Sequence, residues 1–399
     1  MPWPIDSFAN RLERIPKVDR EQAIIREIVR VSAISGEPGV SNLVDSIAFK
    51  GKRWKKLIVK CLGMILATES MAESAPLAQR LLRKLLQIEL VLRDKETGAQ
   101  LNEICGLIAR LEEFPRDLRP FLTVRFETPD AYVYGLCAIA AWASAHARDL
   151  TISSEYPRVE HFLQRAGVLE ALNNPNADAV QFDSDTILGF TRIDAGASLQ
   201  ADRHVGRLRR LFEENVRELP AESAQALSIC FSELTENAIK HGCLKSPAWL
   251  FANYHPQHRI MHVCVCDRGV GIRETFEQSH DARLRALADH SCQWLREATE
   301  LFVTSKSEGH SGYGLYVARE LCRRNGGLFA VVSGGAAFSL RPKHPDAAVS
   351  DVEELREVSP EWRGTLIAMQ FRLDRTLDLG PVYDFPAPDD TESVDLFND

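Results

Sequence analysis

The sequence predicts an α+β fold for residues 183–375, preceded by a smaller α/β segment at residues 114–180 and a helical region at residues 1–113. Three features of the chain support this division. Apolar residues in the first region recur at intervals of three and four, strand and helix patterns alternate in the second, and strands in the third lead into glycine-containing loops. Residues 376–399 are acidic and contain no lysine or arginine, so we expect a disordered tail there.

Composition is typical of a globular protein and excludes several classes of function. The 399 residues suggest two or three domains, with 45% hydrophobic and 26% charged residues. A net charge of -8 argues against nucleic acid as a partner. The nine cysteines form no CxxC pair, which argues against a structural zinc site and favours reduced thiols in the cytoplasm. No apolar run is long enough to span a membrane, so no membrane partner is expected.

One dense basic run, KGKRWKK at residues 50–56, departs from this acidic balance. It can be the solvated start of a helix or a site for a polyanion. The first interpretation is favoured, because runs of like charge are usually solvated. The helical region around it contains no catalytic set of residues, and we expect it to dock a protein partner or to form a homodimer.

The α/β segment shows two strands and two helices in alternation. The patterns predict strands at Phe121–Phe126 and Leu150–Ser153 and helices at Tyr134–His146 and Arg158–Leu172. This segment resembles the C-terminal half of a STAS domain, the small α/β fold of anti-sigma-factor antagonists. The phosphorylatable serine of that family is not evident in ETPDAYVYG, so the resemblance implies an adaptor role toward a protein partner and not a phosphorylation switch.

A polar stripe on one predicted helix carries the first candidate site residues. In a helix over Glu222–His241, the side chains of Glu233, Asn237, Lys240 and His241 border an apolar stripe. An amide oxygen of Asn237 suits Mg²⁺ that phosphates already neutralise, and Glu233 can orient or deprotonate a water or hydroxyl. Lys240 can lie against phosphate oxygens. Alone, such a stripe is more typical of an ordinary amphipathic helix edge.

A carboxylate at a strand end supplies the second element. The alternating strand Met261–Cys266 ends at Asp267, and Gly269 and Gly271 permit a tight turn with close backbone approach. A carboxylate there can accept a hydrogen bond from the amino group of adenine. The alternative is a plain Asp-Gly loop.

The third element is a glycine-rich loop before a helix. Gly312 and Gly314 precede a helix predicted at Leu315–Arg324, whose free N–H groups and dipole favour a polyphosphate, and Lys306 can add positive charge. Thr365, on a later strand, can hydrogen-bond near adenine. The amphipathic stretch between residues 272 and 302 is interpreted as a lid, and the alternative is a helix packed passively on the fold.

These three elements, in this order, resemble the GHKL superfamily of ATPases and kinases, which includes histidine kinases, serine-kinase anti-sigma factors and gyrase. SELTENAIKHG resembles its N box, DRGVG its first glycine box, and SGYGL its second. The resemblance implies a Bergerat-type two-layer sandwich, with a mixed sheet covered by helices on one face. It implies ATP and Mg²⁺ as ligands, Glu233 as the catalytic base, Asn237 as the metal ligand, and nucleotide contacts from Lys240, His241, Asp267, Gly269, Gly271, Lys306, Gly312, Tyr313, Gly314, Leu315 and Thr365.

The chain departs from the histidine kinases upstream of this region, because the dimerisation helix with a phosphoacceptor histidine is missing. We therefore expect a regulatory protein that binds and hydrolyses Mg-ATP and controls a partner protein. The alternative is a serine/threonine protein kinase of the anti-sigma type that acts in trans. A third hypothesis, from a different class, is a nucleotide sensor with negligible turnover.

Overall fold

The protein is described here by a computed structural model, which divides into two compact units. One unit is formed by Met1–Leu90 with Phe114–Thr123 and His146–Thr151, and the other by Val91–Glu113 with Val124–Ala145 and Ile152–Asp399. The four-part division expected from the sequence stays a prediction. The residues that the structure describes are 5–92, 97–112, 121–126, 133–146, 150–154, 156–168, 185–194, 198–216, 219–242, 246–289, 292–300, 303, 314–341 and 351–374.

Helices outnumber strands in the described ranges. The helices are α1 (Ile5–Arg11), α2 (Arg20–Ala48), α3 (Lys52–Ala67), α4 (Ala75–Leu86), α5 (Thr97–Glu112), α6 (Val133–His146), α7 (Pro157–Arg165), α8 (Ser198–Asn215), α9 (Ala221–Asn237), α10 (Ile272–Glu277), α11 (Ala282–Ala288), α12 (Gln293–Glu297) and α13 (Gly314–Asn325). The strands are β1 (Gln87–Leu92), β2 (Phe121–Phe126), β3 (Leu150–Ser154), β4 (Ile187–Ile193), β5 (Ala248–His255), β6 (Ile260–Cys266), β7 (Leu328–Arg341) and β8 (Val352–Arg372).

Helices α1 to α4 share an aliphatic core in the first unit. Side chains such as Ile28, Leu43, Leu62 and Leu81 are buried in it at the helical spacing that the sequence predicted. The expectation of an entirely helical region to residue 113 is wrong at one place, because Gln87–Leu92 forms strand β1. This strand belongs to a three-stranded sheet in the order β1-β2-β3. Strand pairing has overridden the helical preference of its leucines.

The second unit is built on a five-stranded sheet in the order β4-β5-β6-β8-β7. Each of the four neighbouring pairs is antiparallel, so the predicted mixed sheet is wrong. The reason is local, since β5 and β6 are joined by a short turn at residues 256–259 and β7 and β8 are also consecutive strands. The general α+β class is confirmed.

One face of this sheet packs against α8, α9 and α13. On β6 the side chains of Met261, Val263 and Val265 belong to this core, together with Phe231 of α9 and Leu321 of α13. The apolar stripe predicted on α9 is therefore buried against the sheet. Its polar edge lies at the rim of this core, where the candidate site is.

The opposite face of the sheet is also covered by helices, so the predicted two-layer sandwich with helices on one face is wrong. The hydroxyl of Tyr134 on α6 donates to the carbonyl of Met369 at 2.9 Å and lies 2.8 Å from Nδ1 of His262. Trp249 of β5 donates to the Ser144 hydroxyl at 3.0 Å. The strands carry apolar side chains on both faces, and burying both requires a second helical layer.

Several predictions cannot be compared with the structure. Residues 376–399, and residues 169–184 at the end of the segment that resembles STAS domains, lie outside the described residues, and the STAS likeness stays a prediction.

No helix within the described ranges combines the length and apolarity that a bilayer crossing needs. The eight cysteines of the described ranges are free thiols.

Candidate functional site

Helix α9 ends in a π-helical turn that separates the predicted polar residues. The α-helical part stops at Asn237, and Ala238–Gly242 continues as a π turn. Glu233, Asn237 and His241 line a cavity at the edge of the core. Lys240 instead pairs with Glu236, at 2.6 Å and in an exposed position. The sequence prediction assumed a regular α-helix and so placed Lys240 at the cavity. The π turn changes the direction of this side chain, which explains the difference.

The start of α13 lies against the same part of α9. A Cβ atom on Gly314 would lie 2.9 Å from Cβ of Glu233 and 3.4 Å from Nδ2 of Asn237. Only glycine permits so close an approach between the two helices. The approach brings the N-terminus of a 12-residue helix to the carboxylate of Glu233 and the amide of Asn237.

The turn after β6 is held by the Asp267 carboxylate. Its Oδ1 accepts hydrogen bonds from the amide of Gly269 at 2.8 Å and from the amide of Thr365 at 3.2 Å. Val270 in turn donates its amide to the carbonyl of His241, at 3.2 Å. A Cβ on Gly269 would lie 2.0 Å from that same carbonyl oxygen, so this position requires glycine. The π turn and the glycine loop therefore form one backbone contact.

Ser333 of β7, which the sequence analysis did not select, joins this loop to β8. Its hydroxyl donates to the carbonyl of Gly364 at 2.8 Å and accepts from the amide of Ile272 at 2.9 Å. The side chain is fully buried. No sequence signal distinguished this serine from other polar strand residues, because its two partners, Gly364 of β8 and Ile272 of α10, are distant from it along the chain.

The polar residues of α9 and those of the turn after β6 line one open cavity of about 910 Å³. The predicted site residues that line it are Glu233, Asn237, His241, Asp267, Gly271, Gly314, Leu315 and Thr365. Apolar residues that the sequence analysis did not select complete the wall, namely Leu234, Ala238, Val265, Ile272, Phe276, Ala298, Val303 and Ile367, with Thr275.

Two of the other predicted residues, Lys240 and Gly269, are described and do not line the cavity. Lys240 faces Glu236, and Gly269 supports the loop from behind through its contact with His241. Lys306, Gly312 and Tyr313 lie outside the described residues. Their predicted contacts with a nucleotide stay predictions.

Burial raises the pKa of the Asp267 carboxyl above its ordinary value. The side chain is almost fully buried, and desolvation raises its pKa from 3.8 to about 6. The hydrogen bonds from Gly269 and Thr365 and the charge of Arg268 oppose this rise but do not cancel it. Near neutral pH the group is ionised, so it can act as a hydrogen-bond acceptor for a ligand.

This pKa predicts how the ligand-free protein responds to pH. The pKa of Asp267 is 3.8 in the unfolded chain and about 6 in the folded chain. The free-energy cost of burying the charged carboxylate is therefore absent below pH 3.8 and complete above about pH 6. The cost amounts to about 3 kcal/mol. Chemical denaturation should show Asp267→Asn gaining stability over the unaltered protein as pH rises through this window. Parallel stability curves for the two proteins would contradict the assigned pKa.

An ion pair anchors the residue next to Asp267. Arg268 pairs with Glu112 at the end of α5, and the two side chains are only 2% and 5% exposed. The Arg268 guanidinium also lies over the ring of Trp362, 4.6 Å from its centroid. Arg268 thus connects the loop that carries Asp267 to α5 and β8.

The stretch between the second and third elements packs on the fold as three short helices, α10 to α12. Phe276, Leu284, Trp294 and Leu295 are buried in the core of the unit. At its end, Arg319 of α13 binds Glu300 through two hydrogen bonds of 2.7 and 3.1 Å. These contacts favour the passively packed alternative for residues 272–289 and 292–300 over a lid.

Comparison with known families matches residues 199–324 to the histidine kinase-like ATPase domain. The match contains Glu233, Asn237, Asp267 and Gly314, and it ends before β7 and β8, which complete the sheet. No curated protein matches the chain.

Proposed function

Because the chain carries a histidine kinase-like ATPase domain at residues 199–324, we propose that it binds Mg-ATP, hydrolyses it, and uses the bound state to control a partner protein. One observation carries this proposal. Glu233, Asn237, Asp267 and Thr365 come from three separate parts of the chain and line a single cavity. An isolated helix edge or an isolated Asp-Gly loop would not require that convergence.

At one end of the cavity the chain offers groups suited to phosphates. The N-terminus of α13 at Gly314 has backbone N–H groups without an intrahelical partner, and such groups favour anions. Asn237, beside it, offers a neutral oxygen that fits Mg²⁺, an ion that keeps phosphate and water ligands in such sites. When bound, Mg²⁺ would neutralise charge on the phosphates. Glu233 would hold and orient a water molecule and accept its proton.

At the other end the chain offers groups suited to adenine. The Asp267 carboxylate has its Oδ1 held by two backbone amides, which leaves the carboxylate able to accept a further hydrogen bond from an exocyclic amino group. The apolar side chains of Ile272, Val265 and Ile367 line the same cavity and can cover the base. Guanine carries a carbonyl oxygen where adenine carries its amino group, so the carboxylate would repel it.

Control of a partner is the less direct part of the proposal. The ion pair between Arg268 and Glu112 links the adenine end of the cavity to α5, so a change in that loop can alter the position of α5. The N-terminal helices and the segment resembling STAS domains are the proposed docking regions. Location in the cytoplasm and homodimer formation also stay predictions.

A serine/threonine kinase acting in trans is the second candidate. It is favoured by Glu233 at the cavity, because a carboxylate there can accept a proton from a hydroxyl as well as from water. Incubation with γ-labelled ATP, alone and with candidate partners, separates the two. We expect free labelled phosphate from the protein alone. Label retained on a partner would support the kinase, and neither product would support the sensor.

A further inference from the structure

The basic run at residues 50–56 lines a second cavity, in the N-terminal helical unit. This basic cavity has an open volume of about 940 Å³ and lies between α3 and the segment that leads into α2. Five of its nine lining residues are cationic and none is acidic. They are Lys17, Arg20, Arg53, Trp54, Lys56, Leu57, Val59, Lys60 and Gly63. A solvated helix start does not account for cations that surround a cavity.

Part of this cationic set is held in place by the fold. Arg20 donates to the carbonyl oxygens of Ile15 and Glu13, each at 2.9 Å, and its guanidinium lies 5.2 Å from the ring centroid of Trp54. Lys60 pairs with Glu21 at 2.6 Å. Arginine and lysine groups arranged around a cavity are the usual means of binding phosphate. The two hydrogen bonds to backbone carbonyls fix the orientation of Arg20.

Gly63 lines the cavity from α3 without filling it. It lies in the middle of α3, where glycine destabilises a helix by about 0.5–1 kcal/mol relative to alanine. Neighbouring atoms do not require glycine here, because a Cβ at Gly63 would meet nothing within 4 Å. Any larger side chain would extend into open space at the cavity wall. The absence of a side chain therefore leaves room for a ligand.

We propose that the basic cavity binds a phosphate-bearing ligand. The phosphate would lie among Lys17, Arg20 and Arg53, near the N-terminus of α3, whose backbone N–H groups and dipole add to the attraction. Trp54 and Leu57 form an apolar wall suited to the rest of the ligand. The site is independent of the nucleotide site proposed above. A soluble phosphate compound and a lipid headgroup share this chemistry.

The test uses the full-length protein and two matched pairs of variants. Arg53→Glu reverses a charge at the cavity, and Arg26→Glu reverses an exposed arginine on α2 that does not line it. Gly63→Leu fills the cavity without changing charge, and Gly206→Leu places the same side chain at an open position on α8. Arg53→Glu should unfold at about the same temperature as Arg26→Glu, since a glutamate in the first turn of α3 is compatible with the helix dipole. The two leucine variants should gain similar stability, because each replaces a glycine inside a helix.

Calorimetric titration with inorganic pyrophosphate, without added Mg²⁺, measures the soluble form of the ligand. Flotation with phosphatidylcholine vesicles, with and without phosphatidic acid, measures the lipid form. We expect saturable binding of at least one probe, weakened about tenfold or more by Arg53→Glu and Gly63→Leu and unchanged by the two controls. Equal binding by cavity and control variants, binding of neither probe, or equally tight binding of polyglutamate would overturn the proposal.

Discussion

Glu233→Gln is expected to reduce ATP hydrolysis by about 10²- to 10⁴-fold, which is the usual effect of removing a general base. Glutamine keeps the size of the side chain beside Gly314 and removes its ability to accept a proton. The affinity for Mg-ATP should change little, because Asn237, Asp267 and the start of α13 are untouched. Phosphate release under single-turnover conditions, with calorimetric binding beside it, measures both quantities.

Glu236→Gln is the matched control for this variant. The residue lies on the same helix, is exposed, and pairs with Lys240 away from the cavity. Its replacement should leave the hydrolysis rate within about twofold, as expected for a surface ion pair. An unaltered rate in Glu233→Gln would show that this carboxylate is not the base. Loss of binding in the same variant would assign it to ligand binding instead.

Glu112→Leu is expected to lower the free energy of unfolding by about 3–5 kcal/mol, because it leaves the Arg268 guanidinium buried without its partner. Both side chains of this pair are almost fully buried. Replacing both residues, as in Glu112→Leu with Arg268→Met, should recover much of the loss, since an apolar pair needs no charge compensation. Urea denaturation of the two single variants and the double variant measures the coupling.

A surface pair provides the comparison. Arg273 and Glu277 lie one turn apart on α10 with side chains 42% and 46% exposed, so Glu277→Leu should cost no more than about 1 kcal/mol. If Glu112→Leu costs no more than Glu277→Leu, the buried pair does not hold the Asp267 loop as described. The link from the adenine end of the cavity to α5 would then lose its support.

The sequence predicted those parts of the site whose chemistry depends on short local strings. SELTENAIKHG and DRGVG each place a polar residue at the end of an apolar pattern, and the structure brings Glu233, Asn237 and Asp267 to one cavity. The placement of Lys240 could not be predicted, because it depends on the π turn after Asn237. Ser333 could not be selected, since its two partners are brought to it only by the folded sheet.

The sequence did contain a signal for the second helical layer, in the form of continuous apolar runs in two strands. AWLFA in β5 and LIAM in β8 are continuous apolar runs, and the buried Trp249, Phe251, Leu366 and Ala368 all lie on the face away from α9. Continuous apolar runs are typical of strands buried on both faces. The identity of the covering helices, α5, α6 and α7, follows from long-range packing that local patterns do not encode.

Glu233, Asn237, Asp267 and Thr365 are proposed to form one site for an adenine nucleotide. Calorimetric titration of the unaltered protein with Mg-ATP and, separately, with Mg-GTP tests this site most directly. We predict saturable binding of Mg-ATP at one site per chain, and affinity for Mg-GTP weaker by at least about a hundredfold, because Asp267 can accept a hydrogen bond from the 6-amino group of adenine, whereas guanine has a carbonyl oxygen at that position. Absence of saturable Mg-ATP binding, or equal affinity for the two nucleotides, would contradict it.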